Sequence, residues 1–358
     1  MIAPMIPLKS LFLCASTILA GLSDLSQGAA LPTQSNSNSS LKVALVRSPP
    51  PNWPLPLGSH NWTGIEINIT QAVDQGIHLI QEAKQNGADL LAFPELWFPG
   101  FPKGRELYNW KETHFPSFIK NAIVVGGHDW TRLIAAIRQA NIWTSLSFVE
   151  RRGDHIFMAP SGSERDIFTD GNISELKVVN TEIGRVGMLE CAEHWYPSMT
   201  FPLAAQRPKL HIGNFPYVLD DCDDSEAWSF HAGLTKAATG SYAFLSGAYV
   251  LMPAVGYAFI MDNITNIVVD ISASVDFDET PILYHTFPNS SLFFSDETYD
   301  EDAQISWGVL QQISEGFPTD IPQEEGNLVP HREVSVAQLL RGNFTWSETG
   351  FVSPVDQH

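Results

Sequence analysis

The sequence predicts an α/β layered domain, and three observations carry that prediction. From Leu41 onward, apolar runs of strand length alternate with segments of helical periodicity. The chain has 358 residues, 44% hydrophobic and 17% charged, so it can bury a substantial core. No internal repeat and no linker to a second hydrophobic core interrupts the pattern, so residues 41–358 are expected to form one domain.

The first half of the pattern is β-α-β. The alternation in LKVALV predicts a strand that runs into a proline-rich turn, and ITQAVDQGIHLIQEAKQNG predicts a helix that stops at Gly87. The buried run ADLLAFP predicts a second strand, which ends at Glu95. Helices are expected near residues 117–123 and 130–139, followed by a strand in NIWTSLSFVERR.

The second half continues the alternation. ELKVVNTEIGRVGMLEC predicts a hairpin with its turn at residues 182–184, followed by a helix after Pro197, a strand in KLHIGNF and a helix around residues 227–239. Residues 241–261 are uncharged and approach membrane-spanning length, but Gly247, Pro253 and Gly256 divide them, so two core strands joined by a turn are expected. The acidic residues beyond Phe294 predict loops and a tail.

Charge and the first forty residues indicate where the protein works. Twenty basic against forty acidic residues give a net charge of -20, which disfavours nucleic acid and anionic membrane surfaces as partners. Residues 1–30 combine one Lys, an apolar stretch and a small-residue end, which predicts a secretory signal peptide, and residues 31–40 have the composition of a disordered tether. Sequons in the mature chain indicate a secreted, extracellular glycoprotein; they lie at Asn38, Asn61, Asn68, Asn172, Asn263, Asn289 and Asn343.

Two predicted strand ends carry the residues that could do chemistry, because ligands of α/β sheets sit beyond the carboxyl ends of strands. Glu95 follows one strand and Cys191 follows another. Glu190 and Glu193 lie beside Cys191, and their negative charge raises a thiol's pKa, so a reactive Cys191 needs a base. Glu95 could take the thiol proton during attack. The alternatives are a solvated turn acid for Glu95 and a disulfide between Cys191 and Cys222.

The segments GADLLAFPELWFPGFP and GMLECAEHWYP resemble the two signature segments of the nitrilase family of carbon–nitrogen hydrolases, in the same order and each at a strand end. The resemblance extends from about Leu41 to Pro253, and residues 324–356 resemble the family's closing segment more weakly. Phe98, Met188 and Thr200 depart from its usual residues. The resemblance implies a nitrilase-like α-β-β-α four-layer sandwich, a Glu-Lys-Cys triad and a homo-oligomer.

In that triad Glu95 would be the general base and Cys191 the nucleophile, with Glu164 either a supporting acid or an ordinary loop acid. The position of the family's lysine reads Phe157, and its neighbour reads Ala159. Relative to the family, about twenty residues before Pro160 are absent, the size of one core hairpin. Either the protein tolerates the loss of that hairpin or the sequence is an incomplete record; the second is favoured, because a deleted core hairpin opens a sheet edge and net stability is small.

The expected function is hydrolysis of a small organic nitrile to a carboxylic acid and ammonia through a Cys191 thioimidate and thioester, with cyanide hydration and amide hydrolysis as variants. The alternative is an inactive nitrilase-fold protein with a binding or structural role. Trp97, Trp195 and His194 are the candidates for substrate binding; core packing is the alternative for the tryptophans and local hydrogen bonding for His194. No second His or Cys stands at metal-ligand spacing from His194, so we expect no metal and no organic cofactor.

Overall fold

The structure is a computed structural model that describes residues 11–14, 40–104, 108–153, 155–157, 168, 176–220, 230–290, 293, 311, 335–337, 345–347 and 350–352. Its strands are β1 (Leu11–Cys14), β2 (Leu41–Val46), β3 (Leu90–Ala92), β4 (Trp143–Ser147), β5 (Glu150–Arg152), β6 (His155–Phe157), β7 (Val179–Thr181), β8 (Gly184–Glu190), β9 (Leu210–Asn214), β10 (Tyr217–Val218), β11 (Tyr249–Met252), β12 (Val255–Gly256), β13 (Ala258–Met261), β14 (Ile267–Ile271), β15 (Ile282–Phe287), β16 (Thr345–Ser347) and β17 (Gly350–Val352). Its helices are α1 (Ile69–Gln85), α2 (Tyr108–Thr113), α3 (Phe115–Lys120), α4 (His128–Ala140), α5 (Pro197–Ala204) and α6 (Ala232–Ser246), with a 3₁₀ turn at Cys191–Trp195.

Two sheets carry the fold. The first has the order β1-β4-β3-β2-β15, in which only the β2–β15 pair is antiparallel. The second has the order β14-β13-β11-β9-β8-β7, with a parallel centre of β11, β9 and β8. Parallel neighbours need crossover connections, which here are helical: α5 joins β8 to β9, and α1 joins β2 to β3.

The sheets face each other across a hydrophobic core, and helices cover their outer faces. One cluster joins inward residues of the first sheet, such as Val43 and Leu90, to inward residues of the second, such as Val186 and Ile212. A second cluster packs α1 and α4 on the first sheet, and α5 and α6 cover the second sheet. The predicted α-β-β-α sandwich is therefore confirmed.

Most predicted elements lie near where the sequence indicated, but the boundary between α6 and the strands after it is wrong. Helix α6 runs to Ser246, so the first part of the uncharged stretch is helical and only its remainder forms the expected core strands, β11 and β13. The helix ends at Gly247, whose φ of 68° is a left-handed C-terminal conformation that glycine adopts without strain. In the part of the chain that is described, no helix has the length and apolarity to cross a membrane.

Two short regions of the structure lie within or beside segments for which the sequence made special predictions. Leu11–Cys14, inside the predicted signal peptide, forms the edge strand β1 beside β4; this placement does not test cleavage. After β4 the chain turns into a short hairpin in which Arg152 of β5 opposes His155 of β6. Glu164, Asn172 and Cys222 lie outside the described residues, as does nearly all of the C-terminal segment.

Candidate active site

Glu95 and Cys191 both lie at carboxyl ends of strands, as the sequence predicted. Glu95 comes three residues after β3 and is only 2% exposed. Its backbone N–H donates to the carbonyl of Phe215, directly after β9, at 3.2 Å. Strands β3 and β9 belong to different sheets, so this hydrogen bond joins the two sheets at the edge where Glu95 lies.

Cys191 occupies the sharp turn from β8 into the 3₁₀ turn. Its φ is +23°, and Leu96, next to Glu95, has a φ of +47°. Residues with a Cβ pay about 1–3 kcal/mol for such backbone conformations, which persist where the surroundings fix them and which cluster at functional sites. Cys191 itself is partly exposed and packs against the hydrophobic cluster that includes Phe215 and Val218.

The two acids beside Cys191 shape its backbone. Glu190 and Glu193 form a capping box: the Glu190 side chain accepts from the N–H of Glu193, and the Glu193 carboxylate accepts from the N–H of Glu190 at 2.7 Å. Both residues are buried, at 4% and 6% exposed. The placement of a cysteine between two acids, puzzling for thiol chemistry, is explained by the need to cap the turn that presents it.

A hydroxyl connects the segments of the two candidates. Ser147, the last residue of β4, accepts a hydrogen bond from the N–H of Leu96 at 2.8 Å and donates one to Oε1 of Glu190 at 2.9 Å. Leu96 and Glu190 are the sequence neighbours of Glu95 and Cys191. The hydrogen bonds therefore bring the two predicted catalytic segments to one place in the fold.

His194 lies behind Cys191 in a buried imidazole pair. Its Nδ1 donates to the Cys191 carbonyl at 2.9 Å, and its Nε2 lies 2.8 Å from Nε2 of His211. Since Nδ1 carries the proton of neutral His194, its Nε2 must accept, and Nε2 of His211 must donate. Burial lowers the pKa of His194 to about 4, an effect that the hydrogen bond to Cys191 partly opposes, and burial and the neighbouring His194 lower the pKa of His211.

The three candidate substrate-binding residues differ in their burial and contacts. Trp97 is 1% exposed, packs against the rings of Phe93 and Phe98, and donates its indole N–H to the Ser48 carbonyl at 3.0 Å. These contacts favour the core-packing alternative for Trp97. Trp195 is partly buried at the end of the 3₁₀ turn. His194 makes the local hydrogen bonds described above, as its alternative reading expected.

Ser147 and His211 are site residues that the sequence interpretation missed. The strand WTSLS alternates, so Trp143, Ser145 and Ser147 share the face that packs on the second sheet, and two hydroxyls in that layer were a visible signal. For His211 the signal was an imidazole in the middle of the buried strand LHIGN. The partner of each lies on a distant segment, which no local pattern specifies.

Comparisons with known proteins match part of this chain to the sequences of one family. The sequence profile of the carbon-nitrogen hydrolase family matches residues 42–159. A bromoxynil-specific nitrilase of Klebsiella pneumoniae subsp. ozaenae is 34% identical over 174 residues, which are 43% of this chain and 50% of the relative. An arylacetonitrilase of Hypocrea virens is 30% identical over 208 residues, 52% of this chain and 62% of the relative. An aliphatic nitrilase of Rhodococcus rhodochrous is 30% identical over 206 residues, 52% and 53% of the two chains.

The chain thus spans between 50% and 62% of the length of these curated relatives. Among solved structures, an amidase from Nesterenkonia sp. AN1 has a TM-score of 0.49 and 13% identity, covering 72% of this chain and 96% of that one. Nit3 of Saccharomyces cerevisiae, a member of branch 10 of the nitrilase superfamily, has a TM-score of 0.48 and 14% identity, covering 72% and 93%. The sequence matches support the resemblance to the nitrilase family of carbon–nitrogen hydrolases.

Proposed function

We propose that this protein is a thiol-dependent nitrilase that converts a small organic nitrile to a carboxylic acid and ammonia. The observation that carries the proposal is the Ser147 link, which joins the segment of a buried carboxylate, Glu95, to the segment of a cysteine at a strained turn. The named relatives are a bromoxynil-specific nitrilase, an arylacetonitrilase and an aliphatic nitrilase, which supports a nitrile as substrate.

In the proposed reaction Glu95 takes the thiol proton as the Cys191 sulfur adds to the nitrile carbon, and that proton passes on to the nitrogen, which gives a thioimidate and restores the Glu95 carboxylate. Water adds to the thioimidate carbon and ammonia leaves, which produces a thioester. A second water, deprotonated by Glu95, releases the carboxylic acid and regenerates the thiol. Base assistance during attack removes the need for a preformed thiolate, whose charge Glu190 and Glu193 would oppose.

The negative charge that builds on nitrogen is where the family's lysine would act, and that position reads Phe157. Loss of one such electrostatic group costs about 10² to 10³ in rate. Arg152 is a cation in the same hairpin as Phe157, but its side chain is paired: its Nε lies 3.2 Å from Oε1 of buried Glu150. This pairing holds the guanidinium at the base of the hairpin.

We infer that about twenty residues before Pro160 belong to the active protein. The family profile stops matching at Ala159. The alignment with the Hypocrea virens arylacetonitrilase runs over 208 residues but takes in 52% of this chain, or about 186 of its residues, so about twenty aligned positions lack a counterpart here. One hairpin has that length. Sequencing the transcript across the codons for Arg152 to Arg165 tests this inference. An added segment that includes a Lys-x-x-Pro would support it, and a transcript that encodes the present sequence without added residues would contradict it.

The decisive assay is ammonia release from aromatic, arylacetic and aliphatic nitriles, with the matching amides and cyanide as variant substrates. Cys191→Ala should abolish release, and Glu95→Gln should reduce it by at least about 10². Cys222→Ala is the matched control, which should retain activity. If Cys222→Ala instead frees a Cys191 thiol that the native protein lacks, the two residues form a disulfide and the proposal fails.

The unusual Phe157 favours one alternative, a nitrilase-fold protein that binds a ligand without turnover. Binding of a nitrile measured by calorimetry, with no ammonia released and no effect of Cys191→Ala on binding, would favour that alternative. Turnover that depends on both Cys191 and Glu95 would exclude it.

We also propose that the protein is secreted, glycosylated and assembled from identical copies. The sequon residues Asn61, Asn263 and Asn289 are exposed, which glycosylation requires. Expression in a eukaryotic host should yield an extracellular protein that loses mass on treatment with a glycan-releasing amidase, and light scattering should report an oligomer. A protein retained in the cell without glycans would contradict secretion.

A further inference from the structure

Strand β4 presents hydroxyl groups to the layer between the sheets. Its alternation places Trp143, Ser145 and Ser147 on the face toward the second sheet, and both serines are 0% exposed. The facing strand β8 alternates in the same way, so Met188 lies opposite Ser145 and Glu190 opposite Ser147. A carboxylate and a hydroxyl in such a layer are costly unless each is hydrogen-bonded.

The Ser147 hydroxyl acts as an acceptor toward the segment of Glu95 and as a donor toward the segment of Cys191. It accepts from Leu96 N–H at 2.8 Å and donates to Glu190 Oε1 at 2.9 Å. Its backbone carbonyl also accepts from Phe98 N–H at 3.4 Å, so the segment after Glu95 is held along the end of β4. Leu96 and Cys191, the residues these contacts constrain, are both at positive φ.

Glu190, the partner of Ser147 on the facing sheet, is itself held by hydrogen bonds. Glu190 is the first residue of the capping box, so a constraint on its carboxylate acts directly on the turn that presents Cys191. A hydrogen bond from a hydroxyl to a carboxylate is stronger than one between neutral groups. Ser147 therefore ties two strained segments of different sheets through one oxygen atom.

We propose that Ser147 is a positioning residue that sets the distance between the Glu95 carboxylate and the Cys191 thiol. It acts through Leu96 and Glu190 and touches neither the substrate nor the reacting sulfur. This inference rests on the proposed function, because the distance matters when Glu95 takes the thiol proton. Misplacement of reacting groups by about 1 Å can cost about 10² in rate.

Ser147→Ala and Ser145→Ala form the matched pair of variants for the test. Both remove a fully buried hydroxyl from the same face of β4, but among the described residues Ser145 Oγ hydrogen-bonds only to the weak acceptor Met188 Sδ, at 3.5 Å. For nitrile hydrolysis, Ser147→Ala should lower kcat by about 10-fold to 100-fold with KM within about two-fold. Ser145→Ala should leave both constants within about two-fold. Equal effects of the two variants would overturn the proposal.

A second pair of variants controls for a loss of activity that is caused by poor folding or altered packing. Ser147→Thr and Ser147→Val add similar volume, and Val carries a methyl group where Thr keeps the hydroxyl. If Ser147 positions the segments, the Thr variant should retain at least about 10-fold more activity than the Val variant when both are assayed well below their melting temperatures. Equal activity of Thr and Val would show that only packing matters at this position.

A readout that needs no turnover separates this inference from the proposed function. Iodoacetamide, a small neutral reagent, should alkylate Cys191 at least about five-fold more slowly in Ser147→Ala than in the native protein, because the base is displaced, and at the native rate in Ser145→Ala. Peptide mass analysis distinguishes Cys191 from Cys222. If no nitrile is hydrolysed, the proposed function fails, and the alkylation rates still decide the role of Ser147: equal rates in both variants overturn it.

Discussion

At the residue scale, the acids and imidazoles around Cys191 serve its backbone. Glu190 and Glu193 cap the 3₁₀ turn, and His194 donates to the carbonyl of Cys191 itself. Each contact constrains a residue whose φ of +23° is unfavourable for a side chain with a Cβ. The nucleophile candidate is thus held by side chains that lie within three residues of it in the sequence.

The buried imidazole pair predicts a pH dependence of stability. His194 has a pKa of about 4 in the folded protein because it is buried, and about 6.5 when unfolded, so the unfolded state binds more protons between those values. The free energy of unfolding should fall as pH drops from about 6.5 toward about 4, by on the order of 3 kcal/mol for His194, and His211 shifts in the same direction. Urea unfolding at several pH values measures this slope.

The matched variant for that measurement is His194→Gln, which removes the titrating ring from the pair. Its stability should depend less steeply on pH over the same interval, even if it is lower throughout. An unchanged slope would assign the acid sensitivity to other groups.

At the element scale, a glycine lets helix α1 pack closely against the segment that follows Glu95. A Cβ on Gly76 would lie 2.7 Å from two ring atoms of Phe98, which is fully buried in the segment after Glu95. The small residue therefore permits the close approach of α1 to this segment. Gly240 in α6 is a different case, since a Cβ there would lie at 3.5 Å from Met261 and Thr265, an ordinary contact.

These two helical glycines give opposite predictions for the same substitution. Gly76→Ala should lower the free energy of unfolding by about 1–3 kcal/mol, because the buried ring cannot move without repacking. Gly240→Ala should raise it by up to about 1 kcal/mol through helix propensity. Thermal and urea unfolding of both variants provide the measurement; a stabilised Gly76→Ala would show that the Phe98 ring can move aside.

At the scale of the whole molecule, Arg47 connects distant parts of the chain. It lies just after β2, is fully buried, and donates to five carbonyls, those of Gly256, Ser272, Val275, Asp276 and Thr280. Burial lowers its pKa to about 10, while Asp220 and Asp276 oppose that effect, so the guanidinium remains charged at neutral pH. It holds the loop between β14 and β15 against the first sheet.

Arg47→Met should therefore destabilise the fold by about 3 kcal/mol or more, since several buried carbonyls would lose their donor. Arg132→Met is the control: its side chain is 33% exposed and pairs with Asp74 and Asp129 on the surface, so its loss should cost less than about 1 kcal/mol. Chemical denaturation compares the two variants, and similar losses would mean that water replaces Arg47 as the donor.

The length and type of most elements were predictable, because periodicity is a local property of the chain. The strand of LKVALV, the helix at Ile69–Gln85 and the hairpin around residue 183 lie where their patterns indicated. The end of α6 was not predictable from the sequence, because the uncharged residues 241–246 suit a buried helix as well as a buried strand. Packing of α6 on the second sheet decides between the two.

By itself, the sequence determined a layered α/β domain and the two strand ends that carry Glu95 and Cys191, because hydrophobic alternation is a local property of the chain. The four-layer sandwich was an expectation that the family resemblance implied. Only the tertiary structure decided the partners that join them: the Ser147 hydroxyl between Leu96 and Glu190, and His211 behind His194. Those contacts connect residues that are 17 to 51 positions apart. They exist because sheet packing brings the ends of separate strands to one edge, a condition that no local pattern contains.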